Sequence, residues 1–121
     1  MRNGRYELQP GAKLDEISGL VKVACIAYYQ GGLLHREDGP AVEWSNGVKE
    51  WWQYGELHRE DGPAIDAPNG DKLWSYCGQT HRLDGPAIEW DTGAKVWYLL
   101  GHKMTEMQFN AFKEWHETRR K

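Results

Sequence analysis

The sequence predicts a mainly β protein: an elongated antiparallel sheet of successive β-hairpin repeats, closed by a C-terminal capping α-helix. Three observations predict it. The heptapeptide HREDGPA at 35–41 returns at 58–64 and, as HRLDGPA, at 81–87. Its His35, His58 and His81 stand 23 residues apart, as do Gly32, Gly55, Gly78 and Gly101, and a fixed period of this length belongs to repeat architectures. From Thr105 onward the apolar spacing becomes that of a helix.

A chain of 121 residues fits a single domain, which buries about two thirds of the surface its unfolded chain exposes. Its parts are a divergent N-terminal segment (1–27), three 23-residue repeats (28–104) and a C-terminal helix (105–121). Within the first part, VKVACIAYY at 21–29 alternates as a strand does, with Val21, Val23, Cys25, Ala27 and Tyr29 on one face. Leu14 to Leu20 reads either as a short helical turn or as a loop. Residues 1–20 match no copy of the repeat.

Each repeat reads as one β-hairpin. The turn triplets are Ser45-Asn46-Gly47, Pro68-Asn69-Gly70 and Asp91-Thr92-Gly93. A two-residue type I′ turn would force Thr92 to positive φ, which a β-branched side chain resists, whereas Pro68 suits the first central position of a type I turn. A three-residue loop with its Gly in the left-handed region therefore fits all three copies. That loop pairs Glu43 with Lys49, Asp66 with Lys72 and Glu89 with Lys95, so opposite charges face each other in every repeat. It also divides the sheet into two faces. A constant face carries Ala41, Glu43, Lys49, Trp51 and their equivalents. A variable, largely apolar face carries Val42, Trp44, Trp52 and Tyr54, then Ile65, Leu73 and Cys77, then Ile88, Trp90, Val96, Tyr98 and Leu100.

Stacked hairpins place Trp51, Trp74 and Trp97 in a row, with Tyr28 as the equivalent residue one period upstream. Ala41, Ala64 and Ala87 in the paired strands leave room for the rings. The packing expectation is an aromatic ladder joining the repeats. The functional alternative is a concave aromatic groove for a partner, flanked by Lys49, Lys72 and Lys95.

In the heptapeptide, Asp38, Asp61 and Asp84 with the following Gly39, Gly62 and Gly85 supply a turn in which Asp accepts a backbone hydrogen bond and Gly takes a conformation other residues avoid. Pro40, Pro63 and Pro86 then open the strand, where a missing N–H is harmless. His35, His58 and His81 beside these aspartates suggest metal ligation, but one repeat offers one His and one Asp. Zinc needs three or four ligands, and the next repeat lies about 10 Å away, two strand spacings. The expectation is therefore no metal, with His and Asp hydrogen-bonded inside the turn. Arg36, Arg59 and Arg82 would form a cationic ridge able to grip phosphate or carboxylate. An Asp two residues after each Arg points instead to a row of surface ion pairs.

At the C-terminus, Thr105 and Gln108 make a capping box, and Phe109, Phe112, Trp115 and His116 recur at helical spacing, predicting a helix over about 106–119. Its aromatic stripe should lie on the last hairpin as a cap. Arg119, Arg120 and Lys121 complement the helix dipole.

Composition narrows the function classes. Fifteen Lys and Arg against 18 Asp and Glu leave a net charge of -3, which argues against a nucleic-acid or anionic-membrane binder. The mean hydropathy is -0.80, and much of the apolar mass sits in seven Trp and six Tyr. No run approaches the roughly 18 apolar residues of a membrane span, so the expectation is a cytoplasmic protein with no membrane partner. Cys25 and Cys77 read as free thiols of a reducing compartment. No phosphate loop, nucleophile elbow or zinc-protease motif occurs. An active site is usually unique, whereas the suggestive residues here come in triplicate. The protein is therefore expected to be no enzyme and to need no cofactor.

The paired aromatics before G-x-x-H and the following D-G-P-A, repeated every 23 residues over 28–104, resemble MORN-type repeats in the H-R-x-D-G-P-A variant frequent in small bacterial and phage proteins. The usual Gly-x-Gly after His is replaced by Arg-Glu/Leu-Asp-Gly-Pro, so lipid binding does not transfer. The resemblance implies a scaffold or protein-interaction role with no catalytic residues. The first expectation is a non-enzymatic protein–protein interaction module, phage-encoded and directed at a host protein such as a defence nuclease, in the manner of an anti-CRISPR inhibitor. Its candidate contact residues are Tyr28, Trp51, Trp74, Trp97, Lys49, Lys72, Lys95, Arg36, Arg59 and Arg82. The alternative is a small-ligand or nucleotide binder using the Arg ridge or the Trp/Lys face. Exposed sheet edges also allow a homodimer.

Overall fold

The computed structural model describes residues 1–15 and 19–119. Among the described residues the fold is mainly β, one large antiparallel sheet of hairpins with a single C-terminal helix. Residues 1–34 supply β1 (Gly4–Leu8), β2 (Lys13–Asp15), β3 (Gly19–Leu20), β4 (Cys25–Gln30) and β5 (Leu33–Leu34). β2 and β3 pair antiparallel with a shift of register between Lys13 and Asp15, so the ends of the Leu14–Leu20 stretch are strand, not helix or loop. Residues 16–18 of that stretch lie outside the described residues. Buried and half-buried positions alternate from Cys25 to Tyr29 as expected. The alternation does not extend upstream: β4 begins at Cys25, and Val23 is exposed.

Each repeat adds two strands to the main sheet: β6 (Val42–Trp44) with β7 (Lys49–Glu50), then, after the short pair β8 (Trp52–Gln53) and β9 (Glu56–Leu57), β10 (Ile65–Asp66) with β11 (Lys72–Leu73). After β12 (Ser75–Tyr76) and β13 (Gln79–Thr80) come β14 (Ile88–Glu89) and β15 (Lys95–Leu99), then β16 (His102–Met104). The ten-stranded sheet runs β1-β4-β6-β7-β10-β11-β14-β15-β16, with β5 on β4. The predicted turns are present. Trp44 N–H donates to Val48 O at 2.9 Å and Gly47 N–H to Trp44 O at 2.9 Å, with Gly47 at φ 94°. The same bonds close the loops ending in Gly70 and Gly93. Glu43 faces Lys49, Asp66 faces Lys72 and Glu89 faces Lys95. Between repeats, Lys49 faces Asp66 and Lys72 faces Glu89. The charges therefore alternate in sign across six neighbouring strands, and no like charges stand directly opposite.

Each unit also makes a second, smaller hairpin that the sequence reading missed. β8–β9, β12–β13 and β15–β16 turn through Tyr54-Gly55, Cys77-Gly78 and Leu100-Gly101. The φ values are 47° and 79°, 49° and 80°, and 48° and 81°, which is the type I′ signature. Tyr54, Cys77 and Leu100 are therefore turn residues and not the strand positions of the variable face expected for them, and Tyr, Cys and Leu do not choose that conformation. Left-handed geometry costs a non-Gly residue about 1 kcal/mol or more, so something outside the turn must hold it.

The core sits at the N-terminal end of the variable face, where Leu8, Leu14, Val21, Cys25, Ala27, Leu34 and Val42 cluster with half-buried Trp44 and Trp52. β1 pairs residue by residue with β4 and covers its edge. In the apolar row of this face Glu50 stands between Val42 and Ile65. The reading of that face as apolar passed over it. Its carboxylate is held between two indoles: Trp44 Nε1–H donates to Oε2 at 2.8 Å and Trp52 Nε1–H to Oε1 at 2.9 Å. Burial pushes the nearby Cys25 thiol pKa up, Glu50 adds to the rise, and Arg2 opposes it.

The helix α1 (Glu106–Arg119) opens on the predicted capping box. Thr105 N–H donates to Gln108 Oε1 at 3.0 Å, and Gln108 N–H returns to Thr105 Oγ1 at 3.1 Å. Its apolar stripe is only partly laid down. Phe109 is fully buried, whereas Phe112 and Trp115 stay exposed and lie 6.4 Å from each other. The side chains of His116 and Arg119, with all of Arg120 and Lys121, lie outside what is described. No helix among the described residues is long and apolar enough to cross a membrane.

Candidate functional site

The three heptapeptides line up along one side of the sheet, and the His and Arg of each have defined partners. His35 Nδ1 accepts the Tyr54 N–H at 3.0 Å, His58 Nδ1 the Cys77 N–H at 2.9 Å, and His81 Nδ1 the Leu100 N–H at 2.8 Å. These are the left-handed residues of the type I′ turns. Each His therefore pins the next unit's turn and does not bond inside its own, which corrects the sequence expectation. The bond needs a ring without a proton on Nδ1, so the working form is neutral with its hydrogen on Nε2. Nε2 of His35 and of His58 lies 3.7 Å from Glu37 and Glu60. The third copy has Leu83 there, and burial lowers the His81 pKa. Among the described residues no three His, Cys, Asp or Glu side chains are grouped to hold a metal ion.

The arginines are held just as firmly. Arg36, Arg59 and Arg82 donate Nε–H to Asp38, Asp61 and Asp84 at 3.0, 3.1 and 2.8 Å. Their NH1 groups donate to the carbonyls of Pro40, Pro63 and Pro86. The guanidinium planes lie over Tyr28, Trp51 and Trp74, 4.0, 3.7 and 3.8 Å from the ring centres. The predicted ion pairs form, and a cation–π contact joins them.

This arrangement replaces the expected aromatic ladder. No ring–ring contact joins Tyr28, Trp51, Trp74 and Trp97 among the described residues. Two strand spacings separate successive rings, about 10 Å, beyond the reach of a ring pair. Arginine lies over the rings instead. The helix cap interrupts the series at Thr105, so Trp97 lines a groove of about 430 Å3 with Lys95, Met104 and Gln108. Ala41, Ala64 and Ala87 are completely buried. Of the lysines, Lys49 and Lys95 are exposed, and Lys72 closes on Asp66 at 2.8 Å.

The conserved-in-copy glycines have a different reason from the one expected. Gly39, Gly62 and Gly85 are not among the positive-φ residues, because the following Pro favours extended backbone. A Cβ on them would stand 3.1, 2.9 and 3.2 Å from the Cζ of Arg36, Arg59 and Arg82. Glycine is there so that the guanidinium can lie down.

The electrostatic character of the ridge is thereby reversed. The arginine side chains are 22% or 23% exposed, whereas those of Glu37, Asp38, Glu60, Asp61 and Asp84 are between 74% and 87% exposed. The outward surface is acidic, not cationic. Two grooves cut it between successive heptapeptides. The first, about 730 Å3, includes Glu37, Gln53, Trp51 and Glu60. The second, about 880 Å3, includes Trp74, Tyr76, Leu83 and Leu100. Of the sequence candidates, Trp51, Trp74, Arg36, Arg59 and Arg82 line these grooves. Lys49, Lys72, Lys95 and Trp97 do not. The acids and Leu83 were missed, although the variable third letter of H-R-x-D was the signal. No protein-family model, curated protein or solved structure matches the chain.

Proposed function

We propose that the protein is a non-enzymatic protein–protein interaction module, its contact surface the grooved side of the heptapeptide ridge. The observation that carries this reading is the commitment of the chemically versatile side chains. Each His Nδ1 holds a backbone amide of the next unit, and each guanidinium is held by a carboxylate, a carbonyl and a ring. What remains outward is a grooved surface in which aromatic rings, which interfaces favour, are rimmed by carboxylates. The resemblance to MORN-type repeats points the same way, on the strength of the motif. The narrower reading, a phage inhibitor of a host defence nuclease working in the cytoplasm, rests on that resemblance and on two free cysteines. The alternative of phosphate or nucleotide binding by the arginines draws no support from guanidinium groups already engaged on three sides.

The test is a pull-down from bacterial lysate with the full chain, followed by mass measurement of the intact complex. A single stoichiometric protein is expected. Purified protein that carries nucleotide and no protein partner overturns the reading.

A further inference from the structure

The two grooves are built on one plan but differ in the residues that decide what fits. In the first, four exposed carboxylates, Glu37, Asp38, Glu60 and Asp61, outnumber the guanidinium groups of Arg36 and Arg59, and Gln53 completes a polar wall. The second keeps three carboxylates, Glu60, Asp61 and Asp84, beside Arg59 and Arg82, but Leu83 stands where Glu60 stood in the first, and Tyr76 stands where Gln53 stood. Tyr76, Leu83 and Leu100 are all large, apolar and exposed there. The first groove therefore suits a cation and the second an apolar side chain.

Their separation selects the backbone between those two side chains. One repeat is two strands of the sheet, about 9.6 Å. A polyproline-II segment rises about 3.1 Å per residue and returns to the same side every third residue, about 9.3 Å. A β-strand turns its third residue to the opposite face, and an α-helix needs about seven residues to cover the distance. Aromatic-walled grooves are also what such left-handed segments dock into.

Resting on the interaction-module reading, we propose that the two grooves together hold a polyproline-II segment of a partner protein, with Lys or Arg in the first groove and a large apolar residue three positions away in the second.

The probes are acetylated, amidated peptides Pro-Arg-Pro-Pro-Leu-Pro and, in the reverse order, Pro-Leu-Pro-Pro-Arg-Pro, titrated into 15N-labelled full-length protein. One order is expected to move the indole N–H signals of Trp51 and Trp74 together. Glu in place of Arg, or a two-residue spacing, should weaken binding at least tenfold. So should Glu37→Gln with Glu60→Gln, which leave the Arg–Asp pairs in place. Leu83→Glu restores the residue of the other two copies and so keeps the fold. It is expected to shift preference at least fivefold toward Pro-Arg-Pro-Pro-Arg-Pro. Equal binding of the Glu peptide, indifference to spacing, or no movement of either indole at millimolar peptide in both orders overturns the assignment. A pull-down partner whose affinity ignores all three substitutions sinks this assignment alone, whereas bound nucleotide without a partner sinks the interaction reading beneath it.

Discussion

Replacing His58 with Ala removes the acceptor that holds the second small turn. Cys77 N–H, bonded to His58 Nδ1 at 2.9 Å, loses its partner, and Cys77 keeps φ 49° with nothing to hold it there. An unpaired donor costs about 1–3 kcal/mol when buried. Cys77 is exposed, so about 1 kcal/mol is the appropriate share. Lost packing of the imidazole on Tyr76, 4.7 Å away, adds about 0.5–1 kcal/mol, for a total near 2 kcal/mol. At about 2.1 cal/mol/K per residue, unfolding 121 residues carries about 0.25 kcal/mol/K, so Tm should fall by about 8 °C. Urea titration followed by tryptophan fluorescence measures the free energy, and calorimetry measures Tm. Cys77→Gly, which suits the left-handed position, should stabilise the native chain by up to about 1 kcal/mol and recover part of the loss in the double variant. A His58→Ala loss under 0.5 kcal/mol, or a destabilising Cys77→Gly, would refute the idea that the histidine holds the turn.

Acid should loosen the C-terminal repeat. Burial lowers the His81 pKa below its ordinary 6.5, so just below that pH the unfolded chain binds more protons than the native one. The stabilisation is complete above about pH 6.5 and declines as pH falls through the lowered value. Urea midpoints from pH 7.5 to 5 should show the decline, and His81→Ala should reduce its slope. Gly62→Ala puts a methyl 2.9 Å from Arg59 Cζ. It should lift the guanidinium from Trp51, change Trp51 emission, and cost about 1 kcal/mol. The same change in an Arg59→Ala background should cost almost nothing, as a double-mutant cycle reads directly. Glu50→Ala strands two indole donors and should cost about 2 kcal/mol or more, with Glu50→Gln losing less because one acceptor survives. Unfolding curves give the energies, and the Trp44 and Trp52 indole N–H resonances report the lost bonds.

Sequence alone determined the features whose causes are close along the chain. The 23-residue period is direct repetition of the heptapeptide, and the three-residue loops and the Glu43–Lys49 register follow from turn chemistry within about seven residues, where a β-branched Thr92 and a Pro68 exclude the competing turn. The capping box of Thr105 and Gln108 is equally local, since donor and acceptor lie within one turn of helix. Only the tertiary structure decided what His, Arg and Gly of the heptapeptide do. The histidine's partner is 19 residues away in the next unit, and stacking imposes left-handed φ on Tyr54, Cys77 and Leu100, residues with no preference of their own for it. Arginine lies down on a ring because the sheet spacing keeps the rings too far apart to touch. That placement requires glycine beside it and turns the carboxylates outward, so the sign of the surface came from packing, while the composition listed charges without saying which of them would face water.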